Sequence, residues 1–369
     1  MDVAPSDAAL APTAETPPGR LVTQLLERVS QNQQQMLFCP WEATTLLGMS
    51  DYDVVIIGGG AAGLSAALVL ARARRRVAVV DAGQPRNAAA AHMQGFLGSD
   101  GLPPTTLLTT GRQEIARYGG HMIPGTITDI RPCAVDGDGD GAGSRRRFAL
   151  ALEDGRSLRA RRVLVTTGLR DDVPDIPGVR ERWGRDLLHC PYCHGYEVRD
   201  QPLGVLGGTP EAVAHAQLIR QWSDDIVLFT NGSTLDPDQR EHLVARAIGI
   251  VDAPVVRLVV DDDRLTGVEL ESGQIVPRTA VFVRPRLVPH DSLLTGLGCA
   301  THDNGWVVTD AIGGTSVTGV WAAGNAVNPR AQVITAAGEG SAAAIAINND
   351  LVEEDVADAV TNSRPGAPH

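Results

Sequence analysis

The chain contains no lysine: all 32 of its basic residues are arginine. Schiff-base chemistry and Walker-type phosphate binding by a lysine are therefore excluded. Cysteine is scarce too. The five present (Cys39, Cys133, Cys190, Cys193, Cys299) are too few for a disulfide-framed secreted fold in 369 residues. Only Cys190 and Cys193 lie close in sequence, so any thiol chemistry falls to them. No run reaches the roughly eighteen apolar residues of a membrane span. The N-terminus lacks basic residues before an apolar stretch, and it lacks a cleavage site. These absences make the cytoplasm the expected location. The formal charge of −12 is spread along the chain, which speaks against a phosphate backbone as partner. Neither nucleic acid nor membrane is expected to bind.

What is present suffices for two domains of ordinary size, with 43% hydrophobic residues. Residues 1–20 are rich in Ala, Pro, Thr and Asp and read as disordered. A short helix is expected over 20–36, and Met49 stands just before the first convincing strand. Residues 1–48 therefore read as a weakly ordered extension or a misassigned start. From residue 52, strand ("YDVVIIG"), helix ("AAGLSAALVLARAR") and strand ("RVAVVDAG") form a βαβ unit. The Gly/Asp run with Asp136, Asp138 and Asp140 reads as a hairpin tip, since no bidentate glutamate follows at calcium-loop spacing. Near residue 202 a second βαβ pattern begins ("PLGVLGG", "PEAVAHAQLIRQW", "DIVLFTNG"), with hairpin strands behind it. The chain closes with a strand, a loop and a long small-residue helix, and fraying is expected beyond about residue 358.

Gly58, Gly60 and Gly63 have the GxGxxG spacing, directly after a strand and before a helix. The first glycine makes the turn, the second admits a pyrophosphate to the backbone, and the third lets helix and strand pack. Asp81 ends the next strand about 20 residues on, where it can bind a ribose 2'-hydroxyl.

"HCPYCHGYE" (189–197) admits three chemistries. Zinc needs further ligands, yet His189 and His194 are too crowded against the pair and no second CxxC exists. "CPYCH" fits c-type haem attachment, which requires export and a distal ligand that nothing indicates. A redox dithiol remains. A CxxC opening a helix lowers one thiol's pKa, Pro191 suits a first turn, and His194 can serve as acid or base. Beside a dinucleotide fold, such a pair implies electron transfer between sulfur and a flavin or nicotinamide.

The sequence resembles the low-molecular-weight thioredoxin reductase family over roughly residues 51–350. "VVIIGGGAAGLSAA" is similar to its FAD fingerprint, "VLVTTG" to its domain-crossing segment, and "CPYC" to its redox pair in a second nucleotide domain. "GVWAAGNAV" and "AQVITAAGEGSAAA" resemble its second FAD motif. That resemblance places Gly324 and Asn325 at the ribityl and pyrophosphate, and Gln332 and Val333 near the flavin ring. It makes Cys193 the flavin-proximal thiol and Cys190 the interchange thiol, and it implies FAD, NAD(P)H, a thioredoxin-like partner and a homodimer.

Four departures stand out. His194 follows the second cysteine where the family has an aspartate, and Asn325 follows Gly324 where the family has another. In "LGGTPEAVAHA", Thr209 stands where the second glycine of GxGxxA belongs, between Gly207 and Ala212. No arginine follows the next strand before Arg240 to grip a 2'-phosphate. With "DAGQPRNAAAAHMQGFL" and "CHGYE", these departures resemble the dithiol oxidases of the same group, which close disulfides of gliotoxin- or holomycin-type metabolites and pass electrons to oxygen. In that alignment His92 is near the flavin.

The expected fold is α/β, with two Rossmann-like (FAD/NAD(P)-binding) domains, the second inserted in the first. Residues 51–169 and 286–352 form the FAD domain, 170–285 carry the CxxC, and 353–369 are a tail. The expected function is FAD-dependent thiol-disulfide exchange through Cys190, Cys193 and His194. Thioredoxin reduction with NAD(P)H and oxidation of a small-molecule dithiol by O2 are its two directions. A non-catalytic flavin-binding regulatory protein is the reading from another class.

Overall fold

The computed structural model describes residues 50–133 and 147–363. The expectations for residues 1–48 and for the Asp136–Asp140 hairpin tip lie outside the described residues. Valine- and isoleucine-rich β1 (Ser50–Ile57) is followed by α1 (Ala61–Arg72) and β2 (Val77–Asp81). Val54, Val55 and Ile56 are fully buried, as a strand covered on both faces requires. After α2 (Pro104–Arg117) come β3 (His121–Pro124), β4 (Ile127–Cys133), β5 (Arg147–Leu152) and β6 (Ser157–Val165). These strands form one sheet in the order β3-β2-β1-β6-β5-β4.

The chain then leaves this sheet along β7 (Leu169–Asp172) and enters a second, through β8 (Leu187–Leu188) and the single turn α3 (Pro191–His194). The βαβ unit expected near residue 202 is β9 (Leu203–Leu206), α4 (Pro210–Ile219) and β10 (Ile226–Phe229), followed by β11 (Gly249–Val251). An antiparallel meander of β12 (Val255–Asp261), β13 (Arg264–Leu270) and β14 (Ile275–Pro277) leads to β15 (Ala280–Val283). The second sheet is parallel in the order β11-β10-β9-β15-β8. The chain returns along β16 (Arg286–Pro289), antiparallel to β7, to β17 (Val320–Ala322).

Strand β6 pairs with β1 along one edge and divides its other edge between two strands. Its first half pairs antiparallel with β5, and its second half lies parallel to β17 with Val163 opposite Val320. The first sheet is thus completed from both sides of the second, which gives two Rossmann-like halves, one inserted in the other.

The closing helix α5 (Val333–Asn362) packs on α1. A Cβ on Gly340 would stand 2.0 Å from the Ala62 carbonyl oxygen, so the two backbones touch where the helices cross. The helix runs on past residue 358 to Asn362, and ion pairs anchor it just before that point. Buried Arg162 pairs with Asp350 and Glu354, Arg147 and Arg161 reach Glu354, and Arg75 and Arg161 hold Asp355. Among the described residues, no helix is long and apolar enough to cross a membrane.

Candidate active site

A cavity of about 700 Å³ runs from the first glycine loop to the cysteine turn. Gly58 has φ +110°, and a Cβ there would strike the Thr166 carbonyl oxygen at 2.4 Å. A Cβ on Gly63 would lie 1.9 Å from the Gly58 oxygen. Gly60 differs, since nothing stands within 4 Å of where its Cβ would be. Its open face borders the cavity at the start of α1, which has no acidic residue in its first turn and no side-chain cap. Backbone donors at a bare helix N-terminus fit a pyrophosphate.

Asp81 holds this loop as well as bordering the cavity. Its Oδ1 accepts from the Gly59 and Gly83 backbone at 3.2 Å each, and its Oδ2 accepts from Arg112 at 2.9 Å. Gly59, which the motif spacing does not single out, is required here because a Cβ would meet the Asp81 carboxylate at 2.5 Å.

Opposite lies the loop of Gly324 (φ +69°) and Asn325, with Gln332 and Val333 at the start of α5, all bordering the same cavity. Asn325 Nδ2 donates to the carbonyls of Asn328 (2.9 Å) and Ala331 (3.0 Å), and its Oδ1 accepts from Arg86 (3.2 Å). One lone pair of Oδ1 remains for a ligand. Glu339 fastens the loop from α5, accepting from the Gly324 backbone at 2.9 Å and from Asn328 Nδ2 at 2.6 Å. Asn325→Asp would set a carboxylate against two carbonyl oxygens. It is expected to cost about 1–3 kcal/mol of stability, read as a lower denaturation midpoint and weaker flavin retention. Unchanged midpoint and retention would remove this role.

The cysteine turn borders the same cavity. Cys190 is the N-cap of α3, Pro191 its first residue, and the two sulfurs are disulfide-bonded with Cα atoms 5.2 Å apart. Because α3 is a single turn, few peptide dipoles align behind the sulfurs. Three histidines border the cavity here: His189, His194 and, from α4, His215. Burial pushes His194 below the ordinary imidazole value, against a small opposing pull from Glu197. Burial also lowers His189, whose Nδ1 donates to the Val283 carbonyl at 3.3 Å. His215 is driven to about 4 by burial, then by His189 and Arg284. All three are thus neutral at neutral pH, able to accept a proton or a hydrogen bond. His92 borders the cavity from an exposed loop.

The second nucleotide turn is occupied by the chain itself. Thr209 caps α4, its Oγ1 accepting from Ala212 N at 3.3 Å, and Glu211 adds negative charge in the first turn. A backbone hydrogen bond and Thr209 hold the Glu211 carboxylate below its ordinary value. Gly208 is required in this turn, since a Cβ there would meet Ser233 at 2.2 Å. Arg240, the first arginine after β10, is engaged with both carboxylate oxygens of Asp252. An acid at the helix N-terminus and a paired arginine do not fit a dinucleotide's phosphates.

Residues 52–340 match the family model described as pyridine nucleotide-disulphide oxidoreductase. The chain belongs to that family. It is 30% identical over 329 residues to thioredoxin reductase sirT of Leptosphaeria maculans, covering 84% of this chain and 97% of that one. A match of 35% over 182 residues to an Arthroderma benhamiae protein named probable thioredoxin reductase spans 44% of that protein. Among solved structures, HlmI superposes with a TM-score of 0.82 at 57% identity, covering 86% of this chain and 98% of the other. The chain is thus a flavin-dependent thiol-disulfide oxidoreductase of the thioredoxin reductase type. The open face at Gly60 fits the flavin nucleotide that this family carries.

Sequence reasoning missed Gly59, Thr166, Arg86, Glu339, His215 and Arg284. All but Arg284 stand within stretches quoted above, yet nothing local in those stretches singles them out. Their roles come from contacts between separate segments.

Proposed function

We propose that the protein binds FAD in the long cavity and oxidises small-molecule dithiols through Cys190 and Cys193, with dioxygen as the electron acceptor. One observation carries the direction: the second nucleotide turn is capped by Thr209 and charged by Glu211. The phosphates of a nicotinamide donor would meet the Glu211 carboxylate there, which disfavours their binding. The cavity that joins the glycine loop to the disulfide supports the route between sulfur and flavin.

Bound FAD would supply a two-electron acceptor that dioxygen can regenerate. The chain's own part starts at the disulfide. A substrate thiol loses its proton to His194 Nδ1 or Nε2 and attacks Cys190 Sγ. The Cys190–Cys193 bond breaks, and Cys193 leaves as a thiolate on the flavin side. The second substrate thiol gives its proton to the Cys193 thiolate or to solvent and attacks the substrate sulfur bound to Cys190, releasing cyclised disulfide and a Cys190 thiolate. One dithiol is oxidised and one enzyme disulfide is reduced. Expression in the cytoplasm and a homodimeric assembly complete the proposal.

The test is anaerobic mixing of the holoenzyme with NADPH, with NADH and with a small dithiol, followed by visible flavin absorbance. The dithiol is expected to bleach the flavin within a turnover time and both nicotinamides to leave it oxidised. Rapid bleaching by NADPH would instead establish the reductase direction, with a thioredoxin-like partner.

A further inference from the structure

Strands β8 and β15 run parallel, with Leu187 opposite Val281 and Leu188 opposite Phe282. Counted two residues further, this register sets His189 beside Val283 and Cys190 beside Arg284. The chain bends at His189, yet the two segments stay together there, since His189 Nδ1 lies 3.3 Å from the Val283 carbonyl oxygen. Cys190 is again extended, with φ −96° and ψ 111°. Pro285 keeps the residue before it, Arg284, out of helical conformation. Leu188 and Phe282 pack in one cluster with Val213, Ala216 and Ile219 of α4, and alternation along a strand returns Cys190 and Arg284 to that same face. Both residues border the cavity.

Arg284 is uncommitted. It is exposed and forms no ion pair or hydrogen bond among the described residues. Its charge is felt on both sides of β15: by His189 at the cysteine turn, and by His215 and Glu211 on α4. The Glu211 carboxylate is held instead by its own backbone and by Thr209. Arg86 and Arg112 border the same cavity but are clamped on Asp171 and Asp81. The other groups at the turn are His194, with Glu197 near it, and the Arg86 and Asp171 pair that His189 senses. With the three histidines neutral, Arg284 supplies the unbalanced positive charge beside Cys190.

We propose that Arg284 is the counter-charge of the Cys190 sulfur, stabilising the thiolate there and so helping Cys190 to depart when the substrate disulfide closes. The inference rests on Cys190 as the substrate-side sulfur, as assigned above. When the second substrate sulfur attacks the first, the bond from the first to Cys190 Sγ breaks and its electron pair stays on Sγ. A thiol of lower pKa leaves faster in such an exchange, and a nearby cation lowers that pKa. The one-turn helix α3 aligns few peptide dipoles behind the sulfur, so a side-chain charge has this task to do. Arg284 acts through its charge on Cys190, as a positioning residue for electrons rather than as a proton carrier.

The test measures the Cys190 thiol directly. In flavin-loaded Cys193→Ser protein, the rate of alkylation by iodoacetamide is followed against pH, with the adduct on the Cys190 peptide quantified by mass. The inflection is expected below about 8, under the ordinary thiol value of roughly 8.5. Arg284→Met should raise it by about half a unit to one unit, less than a buried cation would give because this one is exposed. Arg284→Lys should restore it to within about 0.3 unit, since the charge and not the shape of the fork is required. Sodium chloride at about 1 M should move the unsubstituted protein towards Arg284→Met, as screening of an exposed charge demands, and this measurement does not depend on any Arg284 variant folding. In the complementary Cys190→Ser protein, Arg284→Met should shift Cys193 by less than half as much.

An inflection unmoved by Arg284→Met would overturn the proposal. So would failure of Arg284→Lys to restore it, which would mark a packing role, or an equal or larger shift at Cys193, which would assign the charge to the other sulfur. None of these readings needs a dithiol substrate or oxygen. Rapid bleaching by NADPH in the anaerobic test above, together with the expected Arg284 shift, would overturn the dithiol-oxidising reading and leave the counter-charge standing.

Discussion

Replacing Cys193 with serine should lower dithiol turnover more than about 10³-fold, the scale on which loss of a covalent participant acts, while flavin content stays unchanged. The cysteine lies on a one-turn helix separate from the glycine loop between β1 and α1, so its removal leaves the flavin cradle intact. Without Cys193, the Cys190 thiol is free. Offered the cyclic disulfide product, it should open the ring and hold one sulfur as a mixed disulfide that no neighbouring thiol resolves. Intact-mass measurement should then show the protein increased by one product molecule. Cys190→Ser should be equally inactive but form no adduct, because Cys193 is assigned to the flavin side. An adduct on Cys190→Ser and none on Cys193→Ser would reverse the two roles.

The pieces of the site legible in the sequence are those whose chemistry lies within one short segment. Gly58, Gly60 and Gly63 announce themselves because strand, turn and helix follow one another in a single βαβ unit. Cys190 and Cys193 do so because two thiols three positions apart close a disulfide across one helical turn. The second nucleotide turn was readable in the same way, since Thr209 replaces a glycine within the motif itself. The rest is made by return contacts. Glu339 reaches back to Gly324 across fifteen residues, Arg86 joins Asp171 to Asn325, and His215 becomes part of the thiol site only when α4 folds beside the cysteine turn. Asn325 illustrates the difference. Its neighbourhood suggested a ligand contact, whereas its amide hydrogens are committed to two backbone carbonyls. The end of α5 is the fold-level counterpart, since its apolar pattern fades and the arginines that secure it come from β5, β6 and the segment after α1.

The two glycines of the first loop should fail in different ways when given a methyl group. At Gly63 the Cβ would lie 1.9 Å from the Gly58 carbonyl oxygen. Backbone of β1 or α1 must shift to relieve that overlap, and both elements are buried at the centre of the first sheet. Gly63→Ala is therefore expected to cost about 3 kcal/mol or more, beyond the usual cost of overpacking, and to appear as insoluble or flavin-free protein with a lowered melting temperature. At Gly60 the Cβ meets nothing within 4 Å, and φ is −81°, so alanine fits the chain as it stands. Gly60→Ala should fold with a native melting profile measured without flavin. Its methyl group would occupy the space through which the pyrophosphate approaches the backbone. FAD affinity is then expected to fall roughly a hundredfold, about 2.7 kcal/mol, measured by equilibrium titration of the flavin-depleted protein. A Gly60→Ala protein that holds flavin as tightly as its parent would show that the open face of this loop is not where the pyrophosphate sits. Loss of fold in both variants would instead tie Gly60 to packing, which the empty surroundings of its Cβ position argue against.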